Sequence, residues 1–110
     1  MIFKTNKKDN SIFIDLQSEE LYPKYYDLFG EYNYEGNGYC WEGHIIQILE
    51  KIKPEILSHV EFDPEAGSIT ILSSDLNPVE EISSLLNPIF TDLDKLKEYI
   101  KVADPDMIDD

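Results

Sequence analysis

The sequence predicts an α+β fold, a small antiparallel sheet packed against helices. Three observations predict it. Two short stretches, Ser11–Leu16 and Ser68–Ser73, are β-branched and apolar enough for strands. Three longer stretches carry apolar residues at helical spacing. Between 60 and 73, a turn cluster (Pro64-Glu65-Ala66-Gly67) separates two extended runs, which is the pattern of a β-hairpin.

Taken in order, residues 1–10 are polar with three lysines and read as a frayed lead-in. In the strand at 11–16, Ile12 and Ile14 share one face and Phe13 takes the other, so it is expected to be central in the sheet or covered on both sides. Tyr22-Pro23-Lys24-Tyr25-Tyr26-Asp27-Leu28-Phe29 favours a short helix with Pro23 in its first turn and Gly30 at its end, over the competing reading of a strand from Tyr25 to Tyr34. Glu31–Glu35 is expected to be extended. The main helix is predicted over 41–53, with Trp41, Ile45, Ile48, Leu49 and Ile52 inward and Glu42, Gln47, Glu50 and Lys51 outward. Pro54 stops or kinks it, and a short helical turn follows to Val60. Strands are expected at 60–63 and 68–73, with Gly67 suited to the turn between them.

Asn77-Pro78 is a cap and first-position pair, which predicts a helix over 78–87 stopped or kinked at Asn87-Pro88. Asp92 caps a last helix over 92–103, with Leu93, Leu96, Ile100 and Ala103 on one face. The segment 104–110 reads as a solvated acidic tail. No internal repeat or linker divides the chain, so its 110 residues are expected to form one domain.

The charge is the unusual feature. There are 23 acidic residues against nine lysines and no arginine, a net charge of −14. Nucleic-acid binding needs a basic footprint, and anionic membranes repel such a chain. A cationic protein partner suits it, because opposite fields steer encounter. Cys40 is the single cysteine, so no disulfide can form within the chain. No apolar run is long enough to span a bilayer, and the N-terminus has no signal-peptide core. The expected location is the cytoplasm.

Candidate chemistry is sparse. Cys40 and His44 lie four apart, and His59 is the only other histidine. A zinc site needs three or four ligands, and a Cys/His nucleophile needs a third, orienting group. The aspartates of the tail lack the glycine and closing glutamate of a calcium loop. Gly36-Asn37-Gly38 is too short to cradle a phosphate. The expectation is therefore no metal, no cofactor and no catalysis. The stronger signal is aromatic. Six of the seven tyrosines fall between residues 22 and 39, interleaved with Glu31, Glu35 and Glu42. Interfaces favour tyrosine, and carboxylates beside it suit a basic partner.

Two motifs sharpen this. Tyr34-Glu35-Gly36-Asn37-Gly38-Tyr39-Cys40-Trp41 and Val60-Glu61-Phe62-Asp63-Pro64-Glu65-Ala66-Gly67 together resemble the bacterial immunity protein 51 family of polymorphic toxin systems. The resemblance runs from about residue 10 to 103. It implies a non-catalytic inhibitor that binds a cognate toxin, a basic one such as a nuclease, and blocks its active site. The expected contacts are Glu31, Tyr32, Tyr34, Glu35, Asn37, Tyr39 and Glu42. Gly36, Gly38, Trp41 and Gly67 are expected to shape the motif. The alternatives are an acidic regulatory module for another cationic protein, or a small Cys/His enzyme. The oligomeric state is left open.

Overall fold

The computed structural model describes residues 2–17 and 24–109. Tyr22 and Pro23, placed by the sequence at a helix start, lie outside the described residues. In chain order the elements are β1 (Asn6–Lys8), β2 (Ser11–Gln17), α1 (Lys24–Gly30), α2 (Gly38–Ile52), a 3-10 turn (Pro54–His59), β3 (Glu61–Glu65), β4 (Ser68–Ser73), α3 (Leu76–Thr91), α4 (Leu93–Val102) and a last 3-10 turn (Pro105–Met107). The four strands form one antiparallel sheet in the order β1-β2-β4-β3. This is the α+β architecture expected.

The register sorts the side chains into two faces. Ile14 pairs with Ile71 and Leu16 with Ile69, so these residues share a face with Ile12. All five are buried, because α2 packs on β3 and β4 and α3 on β2 and β4. The opposite face carries Phe13, Asp15, Gln17, Ser68, Thr70 and Leu72, all exposed or half-buried. β2 is interior to the sheet, as expected. Among the described residues helices cover it on one side, and its alternation of buried and accessible residues is that of a half-solvated antiparallel strand.

The N-terminal lead-in is not frayed. Phe3 is fully buried, its ring edge-on to Phe90 at 4.9 Å. Its backbone is gripped by the side chain of Asn87. The Phe3 N–H donates to Asn87 Oδ1 at 3.0 Å, and Asn87 Nδ2 donates back to the Phe3 carbonyl at 3.0 Å. Ser83 Oγ donates to the same carbonyl at 2.5 Å. The chain then enters the sheet as β1.

Pro88 does not stop α3, which runs on to Thr91. An interior proline costs about 3 kcal/mol. Ile89 and Phe90, beyond it, are buried. Each contributes about 1.5–3 kcal/mol on burial, which offsets that cost. α3 also starts earlier than expected. Asp75, not Asn77, is the residue before its first turn, which leaves Pro78 in the third helical position. A first-turn N–H has no partner within the helix, so proline loses little there. Asp92 does cap α4, accepting from the Lys95 N–H at 3.3 Å.

β3 is longer than expected, and Asp63-Pro64-Glu65 belongs to it rather than to the turn. Pro64 is tolerated because β3 is an edge strand. The link to β4 is only Ala66-Gly67, both exposed.

The solvated-tail expectation also needs correction. Gln47 holds the Asp104 backbone at both groups, with Nε2 donating to the carbonyl at 3.0 Å and Oε1 accepting from the N–H at 2.8 Å. Ile108 is buried against Gly43, where a β-carbon would collide with it. Asp104, Asp106 and Asp109 remain exposed.

Replacing Asn87 with alanine leaves the buried Phe3 N–H without its partner. Asn87→Ala should lower stability by about 2 kcal/mol, read from the midpoint of urea unfolding.

Candidate functional site

The tyrosine–glycine segment 31–42 comprises the link between α1 and α2, residues 31–37, and the first turn of α2. It is not extended at 31–35. The Tyr32 and Tyr34 N–H groups both donate to the Phe29 carbonyl at 3.0 Å, and Asn33 sits between them at φ +69°. The chain thus folds back over the end of α1. Gly36 has φ +78°, a conformation that side chains disfavour.

α2 then begins at Gly38, three residues before the apolar stripe announced it. Asn37 is its N-cap, with Oδ1 accepting from the Cys40 N–H at 2.8 Å. The helix end rests on the β3–β4 link. The Gly38 N–H donates to the Ala66 carbonyl at 3.3 Å. A β-carbon on Gly38 would run into the backbone carbonyl oxygens of Glu65 and Ser68. Two motifs far apart in sequence are therefore one contact in space.

Trp41 is the hub of the aromatic core. It stacks on Phe90 at 5.3 Å and meets Tyr25 and Phe29 edge-on at 5.2 and 5.5 Å. Tyr25 donates its hydroxyl to the Phe90 carbonyl at 2.6 Å, which satisfies one of the last carbonyls of α3. Burial pushes the Tyr25 phenol up, so it stays a donor.

Cys40 is fully buried. His44 is 1% exposed, stacked on Phe29 at 4.9 Å and edge-on to Tyr34 at 4.7 Å. Its Nε2 has no hydrogen-bond partner among the described residues. Burial drives its pKa down to about 4, so the ring is neutral and serves as an aromatic of the core. Neither residue is reachable by a substrate.

Of the expected contacts, Glu31, Glu35 and Tyr39 are exposed, and Tyr26 of α1 joins them. Glu31 lies 3.7 Å from Lys97 of α4, a solvent-exposed pair of small energetic weight. Tyr32 and Tyr34 are half-buried against the core. Asn37 is half-buried and committed to its cap. Glu42 is half-buried, and its carboxyl is raised by burial and secondarily by the nearby charge of Asp109. Sequence reasoning placed it on a free polar face because the return of the tail is a long-range contact. Gly36, Gly38 and Trp41 shape the site.

The profile of Immunity protein 51 matches residues 3–105. The chain belongs to that family. No curated protein and no solved structure matches it. The match begins at Phe3, which is locked to Asn87, and so takes in the lead-in strand.

Two measurements check this part of the structure. Gly38→Ala should cost about 3 kcal/mol, because backbone carbonyls cannot move aside as side chains do. Gly30→Ala is the matched control: nothing lies within 4 Å of the added carbon, and unfolding should shift by less than about 1 kcal/mol. His44 sets a pH dependence. The unfolded chain takes up a proton near pH 6.5, the folded chain only near 4. This part of the stability is complete above pH 6.5 and is lost as the pH falls toward 4. The loss should amount to roughly 3 kcal/mol. His44→Phe should flatten the slope of stability between neutral pH and about 5, with the carboxylates common to both proteins cancelling in the comparison.

Proposed function

We propose that the chain is an inhibitor that binds the toxin domain encoded beside it and neutralises that domain in the cytoplasm by covering its active site. The observation that carries this is membership of an immunity family in a chain of net charge −14 without one arginine. Such a field attracts a basic toxin, a nuclease for example, and speeds encounter. The chain acts by contact rather than by catalysis, a reading supported by the burial of Cys40 and His44 in the core.

The contact includes the exposed groups at the α1–α2 junction. Tyr39 offers an aromatic surface, with 39% of its area exposed, and the exposed Glu31 and Glu35 precede it in the chain. Tyrosine beside carboxylates suits a lysine- or arginine-rich partner.

Co-expression tests the function. The open reading frame adjacent to the gene should arrest bacterial growth alone and permit it when this chain is present. A toxic neighbour that the chain fails to restrain would contradict the proposal. Tyr39→Ala combined with Glu35→Lys should weaken binding of that toxin domain at least about tenfold, measured by calorimetry, with unfolding of the free chain unchanged.

A further inference from the structure

Among the described residues, no helix packs on one face of the sheet. Its rows follow from the register. Phe13, Leu72 and Glu61 lie side by side, then Asp15, Thr70 and Asp63, then Gln17, Ser68 and Glu65. Glu61, Asp63 and Glu65 thus form a line of exposed carboxylates along the edge strand, roughly 13 Å long. Asp15 adds a fourth carboxylate across Thr70, whose hydroxyl donates to it at 3.2 Å. No lysine pairs with Glu61, Asp63 or Glu65 among the described residues. Lys8 of β1 is the cation that the register places on this face.

At one end of the face is a cleft of about 270 Å³, lined by Asn10, Ser11, Glu61, Leu72, Ser73 and Ser74. It combines an apolar side chain, a carboxylate and a ring of hydroxyl and amide groups. An aliphatic stem lies well on Leu72 while its cationic head meets Glu61, which is the chemistry of a lysine or arginine side chain. Phe13, half-buried beside Leu72, extends the apolar ground.

The face repels a second copy of itself, since acid would meet acid. Nucleic acid and anionic membrane are repelled for the same reason. We propose that this uncovered face is a docking surface for a basic protein, and that the cleft receives one of its lysine or arginine side chains against Glu61. The proposal rests on the inhibitor reading and adds to it the surface that meets the toxin. The face and the α1–α2 junction adjoin at the β3–β4 link, where Gly38 touches the backbone of Glu65 and Ser68.

The test uses the full chain and the toxin domain encoded beside it. Glu61→Lys with Asp63→Lys reverses two exposed charges on the face. Glu50→Lys with Glu98→Lys makes the same change in net charge on exposed helical positions. Circular dichroism melts of both variants should match the unaltered chain. The first pair should weaken binding on the order of 100-fold, and the second less than about threefold. Equal weakening by both pairs would show that only the overall field matters and would overturn the docking face. So would a Glu61/Asp63 variant that binds as tightly as the unaltered chain, and in that case the inhibitor reading stands. If the unaltered chain itself neither binds nor protects, both readings fall.

Discussion

The N-terminus of α2 lies directly on the backbone of the β3–β4 link, and Gly38 has no room for a side chain there. Much of the molecule depends on that closeness. It places Asn37 to cap the helix, and it sets Trp41 one turn later among Tyr25, Phe29 and Phe90. Through Trp41, α1, α2 and α3 share one aromatic core over one face of the sheet. Edge-on and stacked ring pairs of this kind add about 0.5–1.5 kcal/mol each beyond the area they bury.

The same closeness separates structure from display. Glycine and asparagine in the tyrosine-rich segment hold the fold, whereas Glu31, Glu35 and Tyr39 remain at the surface. Both ends of the described chain are drawn into the body, Phe3 by Asn87 and Ser83, and the C-terminal segment by Gln47 on Asp104 and by Ile108 against Gly43. With helices and termini on the apolar side, the other face of the sheet keeps its carboxylates exposed. In an acidic member of an immunity family, that leaves a charged surface facing outward, with no lysine paired to Glu61, Asp63 or Glu65 among the described residues.

The legible parts of the fold were those governed by local chemistry. The strand Ser68–Ser73 was found by its composition, the stripe from Trp41 to Leu49 by its period, and the start of α4 by Asp92. What stayed hidden depends on partners distant in sequence. Nothing near Phe3 announces Asn87, and nothing near Ile108 announces Gly43. Pro88 carries a local stop signal that the burial of Ile89 and Phe90 overrides. The geometry of the site was hidden for the same reason. Which tyrosines are exposed was not legible, and the cap role of Asn37 was not, because cap and loop asparagines look alike until the helix start is known. The carboxylate row of β3 went unseen because a turn was expected at Pro64.

Amide hydrogen exchange on the free chain tests the central claim most directly. If the α2 N-terminus is locked on the β3–β4 link, the amides of Gly38, Cys40 and Trp41, bonded to Ala66 and Asn37, should exchange as slowly as those of β4. Exchange of these three amides at the rate of an open loop, with β4 still protected, would contradict the account and make the segment a mobile binding loop rather than the keystone of the fold.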